Sequence, residues 1–204
     1  YDYYFDPTAG YFGVKKACEP LHVLYNPVDK RVEVVNHSGV DANSVEVSYT
    51  LYNKEGKKVF GDKKVLDVLS AERVDAFPMV FFLRLSLRRN GEQVALNDYV
   101  LSQEEGNFQA LRTLPRAKVG VEQSLQREGT EWKGTVAVTN EAETPALMLR
   151  LNLKDGDGRQ ILPVLYSDNY FHLMPHERRM VKVSFADEDV REGKPVVEVT
   201  SLIE

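Results

Sequence analysis

Glu141 follows Asn140 at the end of an alternating apolar–polar run. A carboxylate placed there could give and take a proton in a double displacement. That chemistry needs a second carboxylate about 5 Å away as nucleophile, and a scaffold such as a (β/α)₈ barrel to hold both at one face. Neither is evident in this chain. An earlier strand ends on Asn36-His37 at the equivalent place, so the asparagine reads as a shared strand-end turn residue and Glu141 as incidental. No catalytic residue is expected. Asp155-Gly156-Asp157-Gly158 opens like a calcium loop, which requires further oxygen ligands and a bidentate glutamate at its twelfth position. Arg159 and Gln160 follow instead, and the twelfth position is Tyr166, so a hairpin turn is expected. His22, His37, His172 and His176 form no short metal-ligand motif. His172 and His176 are four apart but sit around Pro175 in a strand–turn context, so solvent-facing or hydrogen-bonded roles are expected. The chain therefore calls for no metal and no cofactor. Cys18 has no ligand neighbours and reads as a small buried hydrophobe on a helix. Asn36-His37-Ser38 fits a glycosylation acceptor, which matters only in a eukaryotic secretory pathway.

The elements that would carry these residues are strands. With 204 residues the chain can form one large domain or two of about 100 residues each. A hydrophobic fraction of 43% fills ordinary cores, and no apolar run approaches the ~20 residues of a membrane span. The net charge of −5, with both signs interspersed, leaves no electrostatic footprint for nucleic acid. A single cysteine excludes an internal disulfide framework. The first residue is Tyr1, so the chain is read as starting mid-polypeptide, with any targeting signal upstream.

One strand pattern occurs twice. Arg31–Asn36 alternates as a half-buried strand should, a polar turn follows at His37–Ser44, and Val45–Tyr52 alternates again before the turn Asn53–Gly56. About 100 residues later Lys133–Asn140, a polar turn, Leu147–Leu153 and Lys154–Gly158 repeat the sequence of events. That spacing of short alternating strands predicts two tandem immunoglobulin-like β-sandwiches, an all-β fold preceded by a short N-terminal helix. The expected division is 1–20 for a connecting helix, 21–103 for the first sandwich, 104–117 for a linker and 118–204 for the second. Ser102 and Glu105 suggest a capping box, Gly106 keeps any helix short, and Leu114-Pro115 breaks regular structure. At the N-terminus Asp6 is expected to cap a helix entered by Pro7, with Pro7, Tyr11, Val14 and Cys18 on its buried stripe and Pro20 as its stop. Tyr1, Tyr3, Tyr4, Phe5 and Phe12 are expected to form a surface that packed on another domain, free here to fray, fold back on the first sandwich or pair with a second copy.

Leu162–Glu177 reads as a strand, an Asp-Asn turn, a second strand and a Pro-x-Glu turn into a third. Its segment Ser167-Asp168-Asn169-Tyr170-Phe171-His172-Leu173-Met174-Pro175-His176-Glu177 resembles a signature of glycoside hydrolase family 2. The signature, Ser-Asp-Asn-Tyr-Phe-x-Leu-x-Pro-Gly-Glu, belongs to the last immunoglobulin-like domain of those enzymes. Within the family the likeness is greatest to the β-mannosidase and exo-β-glucosaminidase group. His176 stands where the family usually has glycine. Tyr11–Val23 is similar to the family segment that joins the catalytic barrel to the next sandwich.

The resemblance implies a non-catalytic C-terminal portion of a β-mannosidase-like enzyme. It implies as partner an upstream catalytic (β/α)₈ barrel of the same polypeptide, with two glutamates there performing retaining hydrolysis of a β-linked mannoside or related glycoside. It also implies a periplasmic or secreted setting for the parent. Ser167, Asp168 and Asn169 are nominated as a substrate-pocket rim, because turn residues with free polar groups can reach a neighbouring site. The alternative is a self-contained carbohydrate-binding or adhesion module, and a structural spacer is a third reading; fold likeness alone does not choose among them.

Overall fold

The computed structural model describes residues 2, 5–28, 31–66, 72–73, 81–102 and 106–201. It divides into two compact units, one of residues 14–114 and the other of residues 1–13 with 115–204.

Among the described residues the first unit is a seven-stranded antiparallel sandwich. Strands β1 (Leu21–Asn26), β2 (Arg31–Asn36) and β5 (Glu72–Arg73) form one sheet. The other runs β4 (Lys58–Leu66), β3 (Val45–Tyr52), β6 (Phe81–Arg89), β7 (Glu92–Leu101). Alternation puts Val45, Val47 and Leu51 of β3 and Leu83, Leu85 and Leu87 of β6 into the core with Val23, Val32 and Val34. Polar groups join the edge strands of the two sheets. The Tyr25 backbone N–H of β1 donates to Tyr99 Oη of β7 at 2.8 Å, and Asn97 Nδ2 donates to the same oxygen at 3.0 Å.

Among the described residues the second unit is also a seven-stranded antiparallel sandwich. One sheet runs β11 (Val164–Tyr166), β13 (Arg178–Ala186), β9 (Glu131–Asn140), β8 (Val119–Glu128). Facing it are β12 (Phe171–Leu173), β10 (Ala146–Lys154) and β14 (Val196–Thr200). Val136 and Val138, Leu149, Leu151 and Leu153, and Val181, Val183 and Phe185 alternate into its core. Trp132 stacks on Phe185 at 6.1 Å and donates its indole N–H to Asp187 at 2.8 Å. Here too a side chain ties edge to edge. Gln123 of β8 accepts from Val197 N of β14 at 2.7 Å and donates to Pro195 O at 2.8 Å.

The all-β class with a short leading helix is therefore as the alternation predicts. The details of the helix differ. It spans Ala9–Ala17 (α1), and Thr8, not Asp6, meets its first turn, accepting from Tyr11 N at 3.4 Å. Its buried side chain is Phe12; Val14 is 64% exposed and Cys18 is exposed just beyond the last turn. Cys18 is thus not the buried hydrophobe expected. Pro7, buried ahead of the helix, and Tyr11, packed against the second core, keep to the expected side, and the stripe counted from Pro7 fails at Val14 and Cys18. Phe12 sits in the core of the second sandwich, not on a surface left for another domain. Tyr1, Tyr3, Tyr4 and Glu105, also named in the sequence reading, lie outside the described residues.

Candidate functional site

Asn140 ends β9 fully buried, and its amide is wholly engaged. Nδ2 faces the carbonyl oxygens of Thr144 (2.8 Å), Leu173 and Met174 (both 3.1 Å), while Oδ1 accepts from Ala142 N at 3.0 Å. Asn36 ends β2 with the same turn: Nδ2 donates to Val40 O at 2.8 Å and Oδ1 accepts from Ser38 N at 3.0 Å. Both turns bond two and four residues ahead, the local side-chain-to-backbone bonding asparagine favours. Glu141 points elsewhere. Lys118 Nζ lies 2.7 Å from its carboxylate, and this hydrogen bond raises the Lys118 ammonium above its ordinary value. The partner of Glu141 is therefore a cation, where a double displacement requires a carboxylate.

Asp155 repeats the lesson. It is buried, and its Oδ1 accepts from the backbone N–H of Asp157 at 3.1 Å and of Arg159 at 2.9 Å. Asn53, at the matching hairpin of the first sandwich, accepts from Lys57 N at 2.8 Å. Gly56 and Gly158 occupy the left-handed position in the two turns, at φ 77° and 78°. The carboxylate closes a hairpin and has no calcium-loop partners. Among the described residues, no group of three or more His, Cys, Asp or Glu could hold a metal.

The histidines hold structural places, two of them side by side: the His22 and His37 ring centroids are 6.3 Å apart. His172 is buried and its Nδ1 accepts from Met148 N at 3.1 Å, where β10 bulges and Met148 takes φ 49°. His22 is buried with Nδ1 2.8 Å from Glu19 O. His176 is exposed, at φ 62°, with Nε2 2.9 Å from Glu143.

The nominated rim residues are tied into the second sandwich. Ser167 is exposed, but its N–H donates to Lys182 O and its Oγ accepts from Lys182 N, both at 2.9 Å. Asp168 accepts from Asn169 N at 3.0 Å and from Arg179 at 3.1 Å; that guanidinium lies 4.6 Å over the Phe171 ring. Asn169 is 3% exposed and acts as a substitute strand neighbour to β10. It accepts from Leu151 N at 2.7 Å and donates to Leu151 O at 3.0 Å. The premise of free polar groups fails at all three positions.

Sequence reasoning missed a different cluster in the same unit. Asp6 forms an ion pair with Arg150 of β10 and accepts from Gln160 Nε2 at 3.2 Å. Tyr166 and Tyr170 stand beside it. Burial pushes both phenols above their ordinary value; the Asp6 carboxylate adds to the rise and the Arg150 guanidinium opposes it. The Tyr170 ring is 6.1 Å from Phe12. A separation of 144 residues between Asp6 and Arg150 leaves no local signal in the sequence.

Comparison with known proteins gives a consistent result. A family model described as the exo-beta-D-glucosaminidase Ig-fold domain matches residues 97–202. The exo-beta-D-glucosaminidase of Arthroderma benhamiae is 30% identical over 91% of this chain, which spans 24% of that protein. That of Streptomyces avermitilis is 29% identical over 98% of the chain, spanning 26% of the protein. The crystal structure of the Amycolatopsis orientalis exo-chitosanase CsxA superposes with a TM-score of 0.89 at 23% identity, covering 98% of this chain and 28% of that one. At that identity the superposition speaks for the fold. The chain spans about a quarter of the length of the relatives it matches.

Proposed function

Because this chain belongs to the exo-beta-D-glucosaminidase Ig-fold domain family, we propose that it serves a larger exo-acting β-glycosidase as its non-catalytic support. It is an immunoglobulin-like portion of a family 2 glycoside hydrolase. The observation that carries the proposal is the match of nearly the whole chain to only a quarter of each glucosaminidase. The one candidate acid/base, Glu141, is paired with Lys118, which fits a portion whose work is mechanical.

The chemistry of the longer polypeptide belongs to the same proposal. Its substrate is a terminal β-linked glucosamine in preference to a β-mannoside, a reading supported by the names of the relatives above. The reaction is a retaining double displacement, performed by two carboxylates on a barrel in the same polypeptide. These two sandwiches act as its buttress.

The test compares the isolated chain with the longer polypeptide on aryl β-glucosaminide and aryl β-mannoside. The proposal expects no turnover by the chain, and glucosaminide hydrolysis by the longer polypeptide with the β-anomer released first. Saturable glycan binding by the isolated chain, with no hydrolysis by the longer polypeptide, would overturn it in favour of a binding module.

A further inference from the structure

The second sandwich is completed by a piece of chain that is remote from it in sequence. Residues 1–13 belong to the same compact unit as 115–204, yet the family model begins only at residue 97. Among the described residues this strap takes no part in any β ladder; the first strand starts at Leu21. Its backbone bonds are largely its own. Asp2 N donates to Asp6 O at 3.1 Å, Phe5 N to Asp2 O at 3.2 Å, and Asp6 N to the Asp2 carboxylate at 3.0 Å. What holds it to the sandwich is side chains. Pro7 is buried, and Phe12 is 3% exposed within the sandwich core. Tyr11 packs edge-on to Phe12 at 5.1 Å, and Asp6 binds Arg150 and Gln160.

We propose that the second sandwich carries a segment-binding groove, lined by Arg150, Gln160, Tyr166 and Tyr170, whose resident occupant is residues 5–13 of this chain. The groove reads three features. Arg150 and Gln160 take a carboxylate, a buried site takes the proline that follows it, and the core, with Tyr170 beside it, takes an aromatic plug five residues further on. Asp6, Pro7 and Phe12 supply them in that order. Because every strand pairing of the sandwich among the described residues is formed without the strap, the strap is a separable ligand: its departure opens the core at Phe12 without breaking one of these ladders.

The experiment uses the full chain and hydrogen exchange read by segment. Phe12→Ala should speed exchange across residues 147–173 by about a hundredfold, the scale expected when a buried aromatic is truncated. Residues 45–52 and 82–89 of the first sandwich should exchange as before. A synthetic peptide of residues 2–13 should then slow residues 147–173 again in a saturable manner, since a ligand that binds the folded form stabilises it by mass action. The same peptide carrying Phe12→Ala should not. Should Phe12→Ala prevent folding, Asp6→Asn weakens the strap with less damage and should give the same pattern at about tenfold. Unchanged exchange at 147–173, equal acceleration in both sandwiches, or no effect of the peptide would each overturn the proposal.

Discussion

At Pro175-His176 the chain reverses with Glu177 N bonded to Met174 O at 3.1 Å and His176 at φ 62°. That is a type II turn, with proline at its second position and a residue forced left-handed at its third, where glycine is favoured. The family's usual glycine at this place thus has a backbone cause, and the histidine pays for its Cβ. Its contact with Glu143 is exposed and returns little. His176→Gly should therefore stabilise the second sandwich by about 0.5–1 kcal/mol, relief of the left-handed strain being partly offset by glycine's unfolded-state entropy. Urea midpoints followed by Trp132, the lone tryptophan, would measure it; a lower midpoint would contradict the turn assignment. Asn169 behaves oppositely. Asn169→Ala leaves Leu151 N and O without their partner inside the sandwich and should cost about 2–4 kcal/mol in the same assay.

Elements were legible where burial alternates, and illegible where a contact is remote. β2 and β3 span Arg31–Asn36 and Val45–Tyr52, the limits that alternation alone assigns, because one face of each is buried throughout. The hairpins at Asn53 and Asp155 were equally readable, since their bonds reach only four residues. The N-terminal strap was not. Helical spacing selected Val14 and Cys18, but a nine-residue helix packed on a sandwich is oriented by what meets Phe12, more than 100 residues on. The bonding of the Ser167–Asn169 loop was hidden in the same way: Asp-Asn marks a turn, while the partners Leu151 and Arg179 come from other strands. One prediction belongs to this strand-and-strap assembly. Tyr166 is buried beside the Asp6–Arg150 pair, and burial raises its phenol above the ordinary value of 10.0. Folding favours its neutral form, so its contribution is complete below about pH 10 and is lost as pH climbs toward the folded value. Tyr166→Phe should show a shallower loss of the Trp132-reported midpoint from about pH 10 upward than the parent chain. Tyr99 and Tyr25, also raised by burial, lie in the first sandwich and do not enter that local readout.

For the molecule as a whole, the decisive fact is that the same two turns occur in both sandwiches. Asn140 and Asn36 make matching bonds, and so do Asp155 and Asn53, although one copy has acidic neighbours that suggest chemistry and the other does not. A residue pattern shared by two copies of a fold is explained by the fold. Glu141 then needs no catalytic account: its carboxylate rests on Lys118 over Gly120, where a Cβ would come within 2.4 Å of Glu141 Oε1. Suppose the longer glycosidase proposed above is assayed with Glu141→Gln. Loss of a working acid/base costs about 10²–10⁴-fold in rate. Loss of an exposed ion pair with lysine is screened by solvent and touches no reacting atom. The variant should therefore keep kcat/KM on aryl β-glucosaminide within about twofold, with an unshifted pH profile. A drop of a hundredfold, or disappearance of the basic limb of that profile, would restore Asn140-Glu141 as a catalytic pair and make this chain part of the active site it is here argued only to support.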